Sequence, residues 1–161
     1  MKRLSWKYIA GFVDGEGCLD MQLVKDPRTK NVGSRNGLYT YVRPRLRIAQ
    51  AKSSKFVLEM CKENFGGNMF LRTRSANPNW QDAYCWTTEG KRLRPFLQNI
   101  TKHLIIKKEQ AKFCIWIIDN VLGKHVKNEV RELLRDEMKA MKRDPQRLSE
   151  SAVRKVKELM R

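Results

Sequence analysis

The sequence predicts an α+β fold: an antiparallel four-stranded sheet with helices on one face, in the order αββαββα, followed by C-terminal helices. Three observations predict it. Apolar residues recur at helical spacing from Trp6 and switch to period two at Cys18. Two pairs of short alternating runs each follow a helical stretch, and the last third of the chain carries helical periodicity alone.

The elements follow in order. Ser5 is placed to cap a helix over Trp6 to Asp14, whose Trp6, Ile9, Ala10 and Val13 share one side, and Gly15 and Gly17 are expected to end it. From Cys18 onward Leu19, Met21 and Leu23 alternate with Asp20, Gln22 and Val24, the pattern of a half-buried strand. Asp26 to Leu38 reads as a long loop. In a second strand, about Thr40 to Gln50, Val42, Pro44, Leu46 and Ile48 alternate with Tyr41, Arg43, Arg45 and Arg47. Pro44 cannot donate to a ladder, so it calls for an edge or a bulge. Ser53 or Ser54 caps a helix to about Asn64, with Phe56, Val57, Met60 and Cys61 expected on its buried side. Gly66-Gly67 turns the chain into a third strand, Asn68 to Arg74, and Ala83 to Thr87 forms a fourth with Tyr84 and Trp86 on one side. Glu89 to Ile100 reads as a short helix with Pro95 disturbing its interior. Lys107 to Leu122 is the most apolar helix, stopped by Gly123. Two charged amphipathic helices, about Val126 to Lys142 and Ser149 to Met160, are separated at Asp144-Pro145. A chain of 161 residues suits one domain, 1–161, with a core about 5–122 and a helical tail about 123–161.

Charge narrows the function. With 34 Lys+Arg against 17 Asp+Glu the chain carries +17, a surplus that self-repels unless an anionic partner is near, and a nucleic-acid backbone is the usual one. A basic protein of a crowded cell and a membrane-surface binder are the bland alternatives. No stretch approaches the roughly 20 apolar residues that span a bilayer, so no membrane partner is expected. Met1 to Trp6 lacks the apolar region of a secretory signal. Cys18, Cys61, Cys85 and Cys114 form no Cys-x-x-Cys pair, which argues against a zinc site or a disulfide framework. The expectation is a reduced, intracellular protein of cytoplasm, nucleoid or organelle matrix, not secreted, with no small-molecule organic cofactor.

The first helix carries the chemistry. Gly11 and Gly15, four apart, bare one helical face, and a glycine inside a helix costs about 0.5–1 kcal/mol relative to alanine. Two such residues call for a close backbone approach. That approach is either packing on the chain's own sheet or a seam with a second copy of the same helix, with Tyr8 and Phe12 beside the glycines. The seam would set two Glu16 carboxylates together. Like charges resist joint ionisation, and a divalent cation such as Mg²⁺, which takes oxygen ligands and keeps several waters, relieves the repulsion. Asp14 is the competing acid, and capping or a salt bridge suits it better.

Ile9 to Gly17, Ile-Ala-Gly-Phe-Val-Asp-Gly-Glu-Gly, closely resembles the signature helix of the LAGLIDADG homing endonucleases. The small Gly11 and Gly15, the Phe-Val-Asp run and the acid at the last motif position carry the likeness; that family takes Asp or Glu there. The element order over about residues 5 to 122 and the basic charge agree with it. The resemblance implies a site-specific, intron-encoded endonuclease of the single-motif type, which makes a double-strand break as a homodimer. The motif helices, through Tyr8, Gly11, Phe12 and Gly15, would form the interface. The sheet would form a saddle in the major groove, and the acids would cut across the minor groove. It implies Mg²⁺ or Mn²⁺ bound by Glu16 and the Gly15 carbonyl, with Ca²⁺ able to replace it for binding. It also implies a polar residue at the end of the second strand, here Gln50, and a lysine before the long third helix, here Lys107 with Lys108 close behind, to position and polarise attacking waters.

Strand parity then gives the DNA-facing set: Asp20, Gln22 and Val24; Tyr41, Arg43, Arg45 and Arg47; Arg72 and Arg74; Ala83, Cys85 and Thr87. Arginine forks suit guanine edges and phosphates, and Gln suits adenine. Loop residues Lys25, Arg28, Lys30, Arg35 and Asn36 are expected to add phosphate or outer-base contacts. Two rival readings stand beside this one. The first is a non-cleaving nucleic-acid-binding protein on the same scaffold, either an RNA splicing maturase or a transcription regulator. The second is a structural basic protein such as a ribosomal component, which would need neither the Gly11/Gly15 seam nor the acid after it.

Overall fold

The structure, a computed structural model, describes residues 3–26, 39–73 and 82–161, with side chains from 3–24, 41–73 and 82–161. Helices α1 (Trp6–Glu16), α2 (Lys55–Phe65), α3 (Leu93–Ile100), α4 (Lys108–Asn120), α5 (Asn128–Arg143) and α6 (Ser149–Met160) accompany strands β1 (Gly17–Asp26), β2 (Tyr39–Ala51), β3 (Asn68–Arg72) and β4 (Ala83–Glu89). The strands form one antiparallel sheet in the order β1-β2-β4-β3. This is the αββαββα core with extra C-terminal helices.

Ser5 accepts the Tyr8 N–H at 3.2 Å and starts α1, while Ile9, Ala10 and Val13 turn into the core. The helix runs through Gly15 rather than ending there, and Gly17 closes it. A Cβ on Gly17 would fall 2.6 Å from the Val13 carbonyl oxygen, so only glycine allows the sharp exit from helix to strand. β1 and β2 pair without a break from Gly17↔Ile48 to Asp26↔Tyr39, so no bulge shifts the parity near Pro44. Pro44 instead lies one residue beyond Arg45↔Glu89, the last β2–β4 pair, where β2 has outrun its neighbour. Its missing donor therefore removes no bond to β4.

One side of the sheet is sealed. Leu19, Leu46, Ile48 and Trp86 are fully buried against α1 to α4, with Leu58, Leu93, Leu97, Phe113 and Ile117 behind them. Edge-on and tilted aromatic contacts bind four elements together: Trp6–Phe65 at 5.0 Å, Phe65–Phe96 at 5.1 Å and Trp86–Phe96 at 5.7 Å between ring centroids. Trp86 Nε1 donates to the Gly66 carbonyl at 2.8 Å, so the indole is buried without an unmet donor.

Three further details depart from the sequence expectation. Phe56 is exposed, and α2 buries Leu58 beside the expected Cys61, because the helix begins at Lys55 and its inward stripe is set by the sheet it meets. α3 begins at Leu93 after a 3₁₀ turn at Gly90–Arg92, which puts Pro95 in the first turn, where no helical N–H bond is lost. β3 ends at Arg72, and Arg74 lies outside the described residues. No described helix is long and apolar enough to cross a membrane.

The tail is tied to the core through polar contacts as well as apolar ones. Glu109 of α4 accepts the Ser149 N–H at 2.9 Å and its hydroxyl at 2.8 Å, which places an anion on the N-terminus of α6. The buried Gln110 amide donates to the Met141 carbonyl. Glu137, nearly buried, receives Arg147 at 2.7 Å and Lys155 at 2.9 Å.

Candidate functional site

Two surfaces meet at the C-terminal end of α1. The first is the outer face of α1 itself. Tyr8, Gly11 and Gly15 are exposed and Phe12 half-buried, at i, i+3, i+4 and i+7 along one side, and the Tyr8 and Phe12 rings stack at 6.3 Å. A Cβ placed on Gly11 or Gly15 would meet nothing within 4 Å. Packing against the chain's own sheet therefore does not explain the two glycines: that face is open. Ile105, 87% exposed, and Ile106, 49% exposed, are also open apolar residues.

These isoleucines are fixed by Asp14. Its carboxylate accepts the backbone N–H groups of Ile105 (2.7 Å), Ile106 (3.3 Å) and Lys107 (2.9 Å), capping the turn that leads into α4. The same turn returns the Lys107 ammonium to the Asp14 carbonyl oxygen. Asp14 is thus the structural acid of the pair, and Glu16, at the last position of α1, is exposed. Lys107 is half-buried, and burial holds its pKa below the ordinary lysine value despite the opposing pull of Asp14, Cys18 and Glu16; the positive charge of Lys142 lowers it further. Gln50 sits next to last on β2, two residues beyond Ile48, the partner of Gly17, and so at the sheet end where α1 passes into β1. It is half-buried and lies across from Tyr84.

Among the described residues no group of three or more His, Cys, Asp or Glu side chains could hold a metal ion. One chain offers the exposed Glu16 carboxylate and, in the last helical turn, the Gly15 carbonyl, which has no helical N–H beneath it. These are hard oxygen donors. They fit a cation that keeps waters, such as Mg²⁺, and not a closed all-protein cage.

The second surface is the outer face of the sheet, which carries the residues that parity assigns to it. Arg45 lies directly across from Asp20 and binds both carboxylate oxygens, at 3.1 and 3.2 Å, while Arg47 reaches the same carboxylate at 2.7 Å. Arg43 binds Glu89 at 2.5 Å and packs against Tyr41. Pairs this exposed add about 0–1 kcal/mol of stability, so their effect is to hold guanidinium groups in set directions. Gln22 Oε1 and Arg47 Nε are buried here without a hydrogen-bond partner, which is unusual for a folded protein. Ala83, Cys85 and Thr87 share this face by register but are buried, forming its floor. Burial raises the Cys85 pKa against the lowering charges of Arg47, Arg72 and Arg45, which places those three cations around it. Val24 is half-buried and Arg72 exposed at the rim. The side chain of Lys25, and all of Arg28, Lys30, Arg35, Asn36 and Arg74, lie outside the described residues.

Sequence reasoning missed three residues of these surfaces. Glu89 is the partner that orients Arg43, and it was legible only once β4 was known to extend past Thr87. Phe70, paired across from Cys85, stands 47% exposed among the arginines, and its parity with Arg72 was the available signal. Lys142 comes from α5 to within 3.3 Å of Cys18 Sγ, a contact across 124 residues that no local pattern announces.

Residues 9–118 match a family model described as LAGLIDADG endonuclease. No curated protein matches the chain. Among solved structures, the chain is similar to the homing endonuclease I-CvuI in complex with its target in the presence of calcium, at 23% identity and a TM-score of 0.61, covering 96% of this chain and 93% of that one. It is similar to an archaeal intron-encoded homing endonuclease complexed with DNA, at 19% identity and a TM-score of 0.62, over 96% and 95% of the two chains. It also resembles the LAGLIDADG homing endonuclease I-GzeII bound to its DNA target, at 20% identity and a TM-score of 0.56, over 99% of this chain and 50% of that one. At these identities the likeness to each structure is one of fold.

Proposed function

This chain belongs to the LAGLIDADG endonuclease family, and from that premise we propose that it is a site-specific DNA endonuclease that makes a double-strand break as a homodimer, by Mg²⁺-dependent hydrolysis of phosphodiesters. The observation that carries this reading is the open face of α1. Gly11 and Gly15, beside the exposed Tyr8 and half-buried Phe12, leave a bare stripe where an added Cβ would meet nothing of the chain's own, and the stripe ends in an exposed carboxylate, Glu16. A second copy of α1 seated there brings two Glu16 side chains together, one for each DNA strand.

Each residue then has a task set by its position. Glu16 and the Gly15 carbonyl would hold the Mg²⁺. Bound there, the cation supplies positive charge that acidifies a water and neutralises the phosphate. Lys107, held against the Asp14 carbonyl and drawn below its ordinary pKa by burial, keeps an ammonium beside Glu16 that stabilises negative charge growing on the phosphate oxygens. Gln50, at the same end of the sheet, orients a water by hydrogen bonding. The outer sheet face supplies the reading surface, with Arg43, Arg45 and Arg47 pre-aimed by Glu89 and Asp20 toward base edges and phosphates. An excess charge of +17 draws the protein to DNA at any sequence, and the oriented set discriminates among sequences.

The test is cleavage by Glu16→Gln beside wild type, on DNA carrying the candidate site, with Mg²⁺ and with a chelator. The expected result is nicking and double-strand cleavage by wild type with Mg²⁺ only. The variant should lose at least about 100-fold in rate while binding DNA, as removal of a charge-stabilising group at a reacting phosphate does. Intact DNA with wild type under all conditions, or equal cutting by the variant, overturns the reading.

A further inference from the structure

The helical tail has no part in the chemistry described so far, yet it reaches the end of α1. α5 packs along β1, and Lys142, in its last turn, donates from Nζ to Cys18 Sγ at 3.3 Å. Cys18 lies two residues beyond Glu16. Arg47 reaches the same sulfur from β2, and the charges of Glu16 and Lys142 act on Lys107. Three cations from three separate elements therefore converge on the first residues of β1.

The acids available to them are few. Asp14 is occupied by three backbone N–H groups, and Asp20 is shared between Arg45 and Arg47. Among the described acids of residues 14–20, Glu16 is left, and the proposed reaction assigns it to a metal. A thiol is a weak, uncharged acceptor that does nothing to neutralise an ammonium. An exposed lysine is ordinarily a solvated end with no fixed place. This one is held in position because the helix carrying it is anchored on both sides: Met141 accepts the buried Gln110 amide, and just past the helix Arg147 binds Glu137. A fixed cluster of cations, short of carboxylates and set at the mouth of the groove-facing sheet, is a binding site for an anion with several acceptor oxygens.

We propose that Lys142 binds a DNA backbone phosphate beside the one being cut, so that the tail helix α5 completes a centre otherwise built from α1, β1, β2 and the approach to α4. This rests on the reading that the chain binds and cuts DNA. It gives the tail a direct role in the reaction and makes Lys142 a residue that touches substrate, joined to the core by packing rather than by sequence.

The test uses the full chain and compares wild type with Lys142→Met, Lys142→Gln and Lys142→Arg. A control, Lys62→Met, removes the same charge from the helix-covered side of the sheet. DNA affinity is measured against salt concentration with Ca²⁺ in place of Mg²⁺, and single-turnover cleavage is measured with Mg²⁺. Lys142→Met and Lys142→Gln are expected to flatten the salt dependence by about 0.9 per protomer, the value for one lost phosphate contact, and to slow cleavage about 10-fold or more. Lys142→Arg should restore both to within about threefold, and Lys62→Met should leave both unchanged. A wild-type salt slope and rate in Lys142→Met and Lys142→Gln overturns the proposal. So does an equal fall in Lys62→Met, which would show a general charge effect. Should wild type bind DNA but never cut, the endonuclease reading fails, while the salt slopes still decide whether Lys142 meets a phosphate. Thermal midpoints of all four variants separate a lost contact from a lost fold.

Discussion

The two faces of the sheet are made from the same strands and obey opposite rules. Toward the helices, Leu19, Leu46, Ile48 and Trp86 are closed off from water and held by shape. Away from them, Asp20, Arg43, Arg45, Arg47 and Glu89 stand part-exposed and are held by charge. On the first face volume decides the outcome, since close-packed interiors respond to the loss of a few methylenes. On the second face, removing a side chain leaves little cavity, and the paired charges are worth little to stability. That separation lets the outer face specialise for a ligand without endangering the fold. α1 repeats the division within one helix: Ile9, Ala10 and Val13 are buried, and Tyr8, Gly11 and Gly15 are left open.

The strongest way to break the comparison is at Trp86. Trp86→Ala should cost about 3–5 kcal/mol in denaturant unfolding, because it removes a fully buried ring packed on Phe96 and abandons the bond to the Gly66 carbonyl. A loss under about 1 kcal/mol would mean that the sealed face is not packed as described. Arg47→Ala should do the reverse. Its unfolding free energy should stay within about 1 kcal/mol of wild type, while DNA binding weakens by about 1–3 kcal/mol. Equal damage to stability and binding would erase the distinction between the faces. The smallest stability effect is expected at Gly11. With nothing near a new Cβ, Gly11→Ala should stabilise the dilute monomer by up to about 1 kcal/mol, as alanine does in a helix, and yet weaken self-association measured by solution mass. A variant that stays dimeric and cuts as well as wild type would remove α1 from the interface.

How far the sequence could be read follows from the range of each interaction. Period-two alternation put Asp20, Arg43, Arg45 and Arg47 on one face correctly, because side-chain parity is a property of neighbouring residues. Proline positions needed more than that. Pro44 is tolerated because β4 stops one residue short of it, and Pro95 because the helix starts later than its periodicity suggests. Phe56 misled for a related reason: an apolar residue in the first helical turn has no side of its own until a sheet is placed beneath it. The glycines of α1 were recognisable as a close-approach signal, but whether the chain itself made the approach was not legible.

The sequence by itself determined the alternation that divides the core from the outer sheet face, and the start of α1 at Ser5. Tertiary structure alone decided that Asp14 would cap the turn at 105–107, that Lys107 would close back on the Asp14 carbonyl, and that Lys142 would come to Cys18. The first group depends on repeats of two and 3.6 residues, which any short segment carries in itself. The second depends on where whole elements come to rest once apolar faces are buried, and a sum over the entire core sets that position rather than any one segment.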